Sequence, residues 1–192
     1  MKIILASKSK RRQELLKMIN LEFDIVVSEK DEVKDITLTP LENCINISLD
    51  KAIEVKNKTD GDRIIISCDT IVVKDNQIYG KPHSKEEAFD MLKLLEGTSH
   101  EVISCLTVIK VLDNKEDIYQ RQGKAIVYID NLTDTEINEW IDEGKPFDKA
   151  GGYAIQESFG KYITKIEGDY YSIVGLPLND LYNILKEIID KF

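Results

Sequence analysis

The feature that most constrains this chain is an aspartate set between two apolar runs near its middle. Residues 64–68 read Ile-Ile-Ile-Ser-Cys and residues 71–73 read Ile-Val-Val, with Asp69 and Thr70 between them. Short runs of this kind, rich in β-branched side chains, predict two buried strands with the carboxylate closing the first. An ionised group in an apolar interior is unfavourable unless cations or a metal ion compensate it. We therefore expect Asp69 to have positively charged partners from elsewhere in the chain.

The rest of the chain alternates between strand-like runs and helix-like apolar stripes. Ser7 or Ser9 can cap a first helix, and capping boxes at Thr39, Ser84 and Thr133 begin three more. The predicted strands lie at 3–6, 23–27, 64–68, 71–73, 77–79, 101–111, 118–129, 162–166 and 170–174, with turns at 75–76 and 113–114, and a last helix follows at about 178–188. This alternation, without a fixed repeat or a linker, predicts an α/β fold in which one long mixed sheet is flanked by helices.

The length and charge of the chain narrow its domain organisation and its partners. At 192 residues the chain fits one domain, which we assign to residues 1–192. A formal net charge of -9 argues against binding of nucleic acid, which needs a broad basic face, whereas a small anionic ligand needs only a local cluster of cations. The apolar run at the N-terminus is too short for a signal peptide, and no run approaches membrane-spanning length. We expect a cytoplasmic protein without a membrane partner.

The cysteines and histidines give no metal site. Cys44, Cys68 and Cys105 are widely spaced and each lies in an apolar stretch, which predicts buried, reduced thiols. His83 and His100 form no metal-ligand spacing with each other or with the cysteines. The sequence therefore does not indicate a metal site based on histidine, and the ligands of any metal ion stay unassigned.

The junction between the first strand and the first helix has the chemistry of a phosphate site. Ser7 and Ser9 supply hydroxyl groups, the helix start supplies unpaired backbone N–H groups, and Arg11 and Arg12 supply forked guanidinium groups. The alternative is a capped surface helix with a solvated basic start, since such caps are common. The concentration of charge directly beside the cap favours the phosphate interpretation.

Asp69 itself has two chemical interpretations. It is suited to act as a general base for water or as a ligand for a divalent cation, and Glu32 in an acidic loop can support either role. A lone Asp at the end of a strand is equally compatible with a turn or a cap. Lys81 is a further candidate site residue, because Gly80 and Pro82 can fix the backbone that presents it. Neither a Walker A pattern nor a glycine-rich dinucleotide fingerprint is present.

A series of short motifs then occurs in order over nearly the whole chain. They are LASKSKRRQELL at 5–16, CDTIV at 68–72, GKP at 80–82, the spaced Met91, Leu92, Leu95, Gly97 and His100, DKAG at 148–151, IQ at 155–156, IEGDY at 166–170 and VGLP at 174–177. Together they resemble the Maf family of nucleoside triphosphate pyrophosphatases. The resemblance implies a fold of the Maf/ITPase type, with a long bent sheet and two lobes around a central cleft. It also implies hydrolysis of a nucleoside triphosphate between the α and β phosphates, assisted by a divalent cation, Mg²⁺ or Mn²⁺, and it leaves a homodimer open.

On the matching positions the resemblance implies a role for each residue. The implied catalytic residues are Asp69, as the proton acceptor, with Lys81 and Glu32. The implied substrate-binding residues are Ser7, Arg11, Arg12, Lys51, Thr70 and Gln156. Among them, Arg12 and Lys51 would hold the triphosphate together with Lys81, whereas Arg11, Thr70 and Gln156 would set the base specificity.

The base preference rests on two residue pairs. The Asp-Thr pair at 69–70 and the Ile-Gln pair at 155–156 are similar to the subgroup that hydrolyses dTTP and UTP. Gln156 suits a pyrimidine physically, because its amide offers one donor group and one acceptor. We therefore predict hydrolysis of dTTP and UTP to the monophosphate and pyrophosphate, a house-cleaning activity with a link to cell-division arrest.

Three positions depart from the family pattern, and two other functions stay open. The family usually has proline, aspartate and glycine at the positions of Lys10, Ser84 and Glu157, respectively. We expect Glu157 to narrow the site at the base end or to repel the substrate there. One alternative is a pyrophosphatase for modified or non-canonical purine nucleotides of the 7-methyl-GTP or ITP type. The other is a nucleotide-binding regulator of septum formation without significant hydrolysis.

Overall fold

A computed structural model describes residues 1–29 and 32–189 of the chain. Within these residues the strands are β1 (Lys2–Leu5), β2 (Asp24–Ile25), β3 (Arg63–Lys74), β4 (Gln77–Tyr79), β5 (Ser99–Leu112), β6 (Lys115–Ile129) and β7 (Ile163–Gly168). The helices are α1 (Lys10–Met18), α2 (Pro40–Asn57), α3 (Lys85–Leu95), α4 (Asp134–Asp142), α5 (Tyr170–Val174) and α6 (Leu178–Ile188). Short 3₁₀ turns cover Pro146–Asp148, Ala150–Gly152 and Ser158–Tyr162. None of the described helices is both long enough and apolar enough to cross a bilayer.

The strands form one mixed sheet. Its order is β2, β1, β3, β5, β6, β7, and β4 pairs with β3. β1 is parallel to β2 and to β3, whereas β4 is antiparallel to β3 and β7 is antiparallel to β6. The predicted fold class, an α/β fold with a mixed sheet flanked by helices, is confirmed.

The chain divides into two compact units. The first contains Met1–Asp69, Ser104–Gly123 and Gly175–Phe192, and the second contains Thr70–Ile103 and Lys124–Val174. A core cluster of the first unit consists of Ile4, Ala6, Ala52, Val55, Ile65, Ile109 and Val111. The core of the second unit contains Trp140 among residues that include Leu92, Val127, Tyr153 and Phe159. The assignment of residues 1–192 to a single domain stays a prediction.

The predicted helix caps are present. Ser9, Thr39, Ser84 and Thr133 each accept a hydrogen bond from the backbone N–H three residues later. The capping boxes at Thr39 and Thr133 are reciprocal, whereas the carboxylate of Glu87 accepts from the N–H of His83 instead of completing a box with Ser84. Each such cap typically contributes about 1 kcal/mol to the stability of the helix. Because the capping residues are close in sequence to the groups that they bind, these four helix starts were predictable from local sequence.

Both predicted two-residue turns are left-handed. Asp75 and Asn76 have φ angles of 51° and 60°, and Asp113 and Asn114 have the same pair of values. Asp and Asn tolerate this region better than other residues with side chains, and two such residues in succession suit the twist of a hairpin. The first turn joins β3 to β4 and the second joins β5 to β6.

Two predicted strand assignments are wrong. Residues 64–68 and 71–73 belong to one continuous strand, β3, so Asp69 lies inside a strand rather than at the end of one. Residues 170–174 form the helix α5, because the carboxylate of Asp169 caps it by accepting from the N–H groups of Tyr171 (3.1 Å) and Ser172 (3.0 Å). In the first case the strand continues through a charged residue instead of ending there. In the second, a capping side chain decides for a helix against the local preference for a strand.

Candidate active site

The pairing of β1 with β3 places Ser7 beside the middle of β3, where Asp69 lies. The parallel register aligns Leu5 with Ile66, and the N–H of Ala6 donates to the carbonyl of Ile66 at 2.8 Å. Ser7 therefore follows β1 beside the part of β3 that carries Asp69. In sheets with parallel strands, ligands bind outside the carboxyl ends of the strands, and Ser7 lies just beyond that end of β1.

The side chain of Asp69 is buried and bound by Lys51. Asp69 is 5% exposed, and the Lys51 Nζ donates to its Oδ1 at 2.8 Å. Asp69 shares one face of β3 with Ile65, which belongs to the same core cluster as Ala52 of α2. Helix α2 thus covers this face of the strand and brings Lys51 to the carboxylate. The cationic partner that burial of Asp69 requires is Lys51.

Glu32 shares the same ammonium group. The Glu32 Oε1 lies 2.6 Å from the Lys51 Nζ, and the side chain of Glu32 is 47% exposed against 13% for Lys51. One positive charge therefore lies between two carboxylates, and the three side chains together have one negative charge in excess. Two of the predicted catalytic residues, Asp69 and Glu32, meet at one predicted substrate-binding residue.

Ser7 and Arg12 form a second contact in the same unit. The Arg12 Nη1 donates to the Ser7 Oγ at 3.2 Å, and the Arg12 Nε donates to the carbonyl of Gly175 at 2.8 Å. The Ser7 Oγ also accepts from the N–H of Ser9 at 3.2 Å, while Ser9 is the residue that caps α1. Arg11 is half-buried in the first turn of the helix. Ser9 thus caps the helix start, whereas Ser7 binds the Arg12 guanidinium.

Arg12 and Lys51 act electrostatically on the same residue, Cys68. Burial raises the pKa of the Cys68 thiol to about 11, while the positive charges of Arg12 and Lys51 act in the opposite direction. Cys68 directly precedes Asp69 in β3. Two cations from different helices, α1 and α2, therefore act on the part of β3 around Asp69.

Two thiols contact the backbone carbonyl of Asp69. The Sγ of Cys44 and the Sγ of Cys68 each donate to this oxygen at 3.5 Å. A hydrogen bond with Cys105, together with burial, raises the pKa of the Cys44 thiol. All three cysteines are free and buried, so the prediction that they are buried is confirmed.

The remaining predicted site residues belong to the second unit. Thr70 is half-buried in β3, and Lys81 and Gln156 are exposed. Their implied roles stay predictions. Within residues 1–29 and 32–189, no group of three or more His, Cys, Asp or Glu side chains is arranged to hold a metal ion.

Glu157 is not the isolated charge that its sequence position suggests. Its Oε1 lies 3.3 Å from the Nζ of Lys149, a lysine that is itself 5% exposed. The negative charge that we expect to repel at the base end is therefore compensated within its own unit.

Sequence reasoning missed Gly175 and Cys44 as partners of the site. Gly175 has a φ of 127°, a conformation that favours glycine. Its carbonyl accepts a hydrogen bond from the Nε of Arg12, which lies 163 positions away in the chain. The only signal for it was its place in the VGLP motif. Cys44 carried no functional signal, because an apolar stretch containing a cysteine looks like ordinary core.

The whole sequence matches one known family. Residues 2–188 match the family described as Maf-like protein. The chain belongs to the Maf family. The match includes every residue that the sequence analysis assigned to the site.

Curated Maf proteins that are similar to this chain include a "dTTP/UTP pyrophosphatase" of Clostridium botulinum (strain Alaska E43 / Type E3), 46% identical over 98% of this chain and 100% of that protein. A protein of the same name from Caldanaerobacter subterraneus subsp. tengcongensis is 42% identical over 97% of this chain and 88% of that protein. Among solved structures, the Staphylococcus aureus Ham1 protein matches 97% of this chain and 99% of that chain at 15% identity, with a TM-score of 0.47.

Proposed function

We propose that this Maf protein hydrolyses dTTP and UTP between the α and β phosphates, giving the nucleoside monophosphate and pyrophosphate. The observation that carries the proposal is the buried Asp69 carboxylate, held at 2.8 Å by Lys51 beside the Ser7–Arg12 pair. The names of the similar proteins, both "dTTP/UTP pyrophosphatase", support the choice of substrates, and the resemblance to the family implies the bond.

In the proposed reaction Asp69 accepts a proton from water. The water oxygen forms a bond to the α phosphorus, the bond from that phosphorus to the bridging oxygen breaks, and pyrophosphate leaves with the electron pair. Lys51 holds the Asp69 carboxylate in position through the hydrogen bond from its Nζ. Positioned acid–base groups of this kind typically contribute about 10²- to 10⁴-fold to the rate.

Arg12 and Lys51 bind the triphosphate in this proposal. Hydrolysis moves negative charge toward the departing pyrophosphate, so fixed cations lower the barrier if they are already in place. Arg12 is held at two points, by Ser7 and by the carbonyl of Gly175. A guanidinium that is anchored before substrate arrives loses less side-chain freedom on binding.

The carboxylates fit a divalent cation that arrives with the substrate. Mg²⁺ is usually held by one or two carboxylates plus phosphate oxygens and water, and Asp69 and Glu32 supply two carboxylates around one ammonium group. The excess negative charge of this trio also favours a cation, and Mn²⁺ accepts the same oxygen ligands. When bound, such a cation would neutralise phosphate charge. Asp69 and Glu32 are the residues that would hold it.

Residues of the second unit supply base recognition in this proposal. Gln156 pairs through its amide with the donor and acceptor edge of uracil or thymine. The family resemblance gives Thr70 and Arg11 a part in the same choice, and it gives Lys81 a part in binding the triphosphate.

The deciding experiment is a panel of nucleotides with purified protein. We expect pyrophosphate and monophosphate as products in the presence of Mg²⁺, with kcat/KM highest for dTTP and UTP. Release of inorganic phosphate instead of pyrophosphate would contradict the cleavage position. A higher kcat/KM for ITP or 7-methyl-GTP would contradict the base preference, and binding without turnover would favour a regulator.

A further inference from the structure

Gln156 lies in a tight turn between two buried residues. The N–H of Glu157 donates to the carbonyl of Ala154 at 3.3 Å, so Ile155 and Gln156 occupy the central positions of the turn. Gln156 is exposed, whereas Ala154 on one side and Phe159 on the other are buried. The turn thus presents the side-chain amide of Gln156 to solvent from a fixed backbone.

The N-terminal side of the turn is anchored by a buried hydrogen bond. The Tyr153 hydroxyl lies 2.6 Å from the His100 Nε2, and the two rings meet edge to face with centroids 5.4 Å apart. Both residues are buried in the second unit. Residue 153 is therefore fixed immediately before the turn begins.

The C-terminal side is anchored by a buried lysine. The Lys149 Nζ donates to the carbonyl of Lys145 at 2.6 Å and to the Asp148 Oδ1 at 2.6 Å, and it lies 3.3 Å from the Glu157 Oε1. An ammonium group has three protons, and here three oxygens surround it. A buried charge is tolerated when it is paired and hydrogen-bonded, as this one is. Of the three oxygens, only that of Glu157 belongs to the turn that carries Gln156.

We propose that Lys149 and Glu157 are a positioning pair that fixes Gln156 and thereby sets the choice between uracil and cytosine bases. The inference rests on the proposed function, in which Gln156 reads the base. Neither residue of the pair touches the nucleotide. Each acts through the turn.

The reason for a positioning pair lies in the chemistry of the amide. Uracil offers a carbonyl acceptor and an N–H donor where cytosine offers an amino donor and a ring-nitrogen acceptor. A glutamine amide that turns over by 180° presents the reverse pattern, so a loosely held Gln serves either base. Discrimination requires that the amide be held at one place and in one orientation relative to the base.

The test is the ratio of kcat/KM for UTP to that for CTP in matched variants. We expect Glu157→Ala to lower this ratio by about tenfold or more, mainly through KM, because lost positioning weakens one set of hydrogen bonds. The matched control is Asp148→Asn, which removes the other carboxylate from the same ammonium but leaves the link to the turn. The control should keep the wild-type ratio.

A second variant separates positioning from general loosening of the fold. Gln156→Ala should lower the ratio by itself, and adding Glu157→Ala to it should change the ratio no further if Glu157 acts through Gln156. Equal, additive losses for both nucleotides, or a Glu157→Ala protein with the wild-type ratio, would overturn the proposal. Thermal unfolding of each variant identifies a protein that is merely less stable.

The same experiment distinguishes failure of the inference from failure of the proposed function. If the wild type hydrolyses no nucleotide, the proposed function is wrong, and α,β-imido-UTP and its CTP counterpart then test the pair by calorimetric affinity alone. A wild type that prefers UTP together with an unchanged Glu157→Ala variant refutes only the positioning pair.

Discussion

The Nζ of Lys51 lies 2.8 Å from the Oδ1 of Asp69, across the contact between helix α2 and strand β3. Eighteen positions separate the two residues in the chain. With Lys51 13% exposed and Asp69 7% exposed at the side chain, this is an ion pair largely removed from water. Breaking such a pair by removing one partner leaves a buried charge without compensation, which gives the pair measurable consequences for both stability and activity.

Replacing Asp69 tests its role as the proton acceptor. We expect Asp69→Asn to lower kcat by about 100-fold or more, because an amide has nearly the same shape but accepts no proton. Asp75→Asn is the matched control, since it makes the same change at an exposed turn residue with a φ of 51° that Asn also adopts. Pyrophosphate release under saturating dTTP measures both. Wild-type turnover by Asp69→Asn would exclude the assigned role.

Replacing Lys51 tests the ion pair itself. Lys51→Met should lower kcat/KM by about 100-fold, and urea unfolding should show a loss of about 3 kcal/mol, because the buried Asp69 side chain loses its partner. In an Asp69→Asn background the same substitution should lower stability by much less, since the only carboxylate then left beside Lys51 among the described residues is that of the half-exposed Glu32. Lys58→Met, at an exposed position of the C-terminal end of the same helix, should change neither quantity appreciably. Equal stability losses in both backgrounds would contradict the pairing.

Ser7 and Ser9 offer a comparison between two neighbouring hydroxyl groups. Ser7→Ala removes an acceptor for the Arg12 guanidinium, and we expect KM for dTTP to rise about tenfold, as for a hydrogen bond to a charged group. Ser9→Ala removes the cap of α1 and should lower the free energy of unfolding by about 1 kcal/mol while KM stays unchanged. If the two variants exchange these effects, the assignment of tasks is wrong.

The stability of the protein should fall in mild acid because of His100. Burial lowers the pKa of His100 from its usual 6.5 to about 4. Between these values the unfolded chain binds the proton that the folded chain refuses, so stability is lost as the pH falls through that window and is unaffected above it. We expect a contribution of about 2 kcal/mol to be lost between pH 7.5 and pH 5. Urea unfolding at both pH values measures it.

His100→Phe provides the comparison for this pH effect. The variant is less stable at every pH, because the Tyr153 hydroxyl loses its partner, but its stability should change with pH by about 2 kcal/mol less than that of the wild type. Parallel pH profiles for the two proteins would show that His100 is not the titrating group.

The sequence was most informative where the signal was local. Caps at Thr39 and Thr133, and paired Asp and Asn residues in the hairpin turns, are short-range hydrogen-bond and backbone preferences that fold context did not override. The alternation of strands and helices followed from these signals. The predicted helix starts and the fold class could therefore be obtained without any structure.

What the sequence could not provide is the choice of partners across long separations. Several lysines were equal candidates for Asp69, and only the packing of α2 on β3 selects Lys51. The same holds for the contact of Arg12 with Gly175 and for that of Lys149 with Glu157, because each depends on where two distant segments meet. Residues 170–174 failed for a different reason, since their tyrosines and β-branched residues favour a strand while the cap at Asp169 decides for a helix.

Glu32 is a second carboxylate partner of the Lys51 ammonium, so a nucleotide that binds at Lys51 has to compete with it. A phosphate that reaches Lys51 takes part in an exchange, in which a carboxylate attached to the same chain gives up its place. The competitor is tethered, so dilution does not remove it. The affinity of Lys51 for any polyanion then depends in part on how readily the Glu32 side chain gives up this contact, which is a property of the chain rather than of the solution.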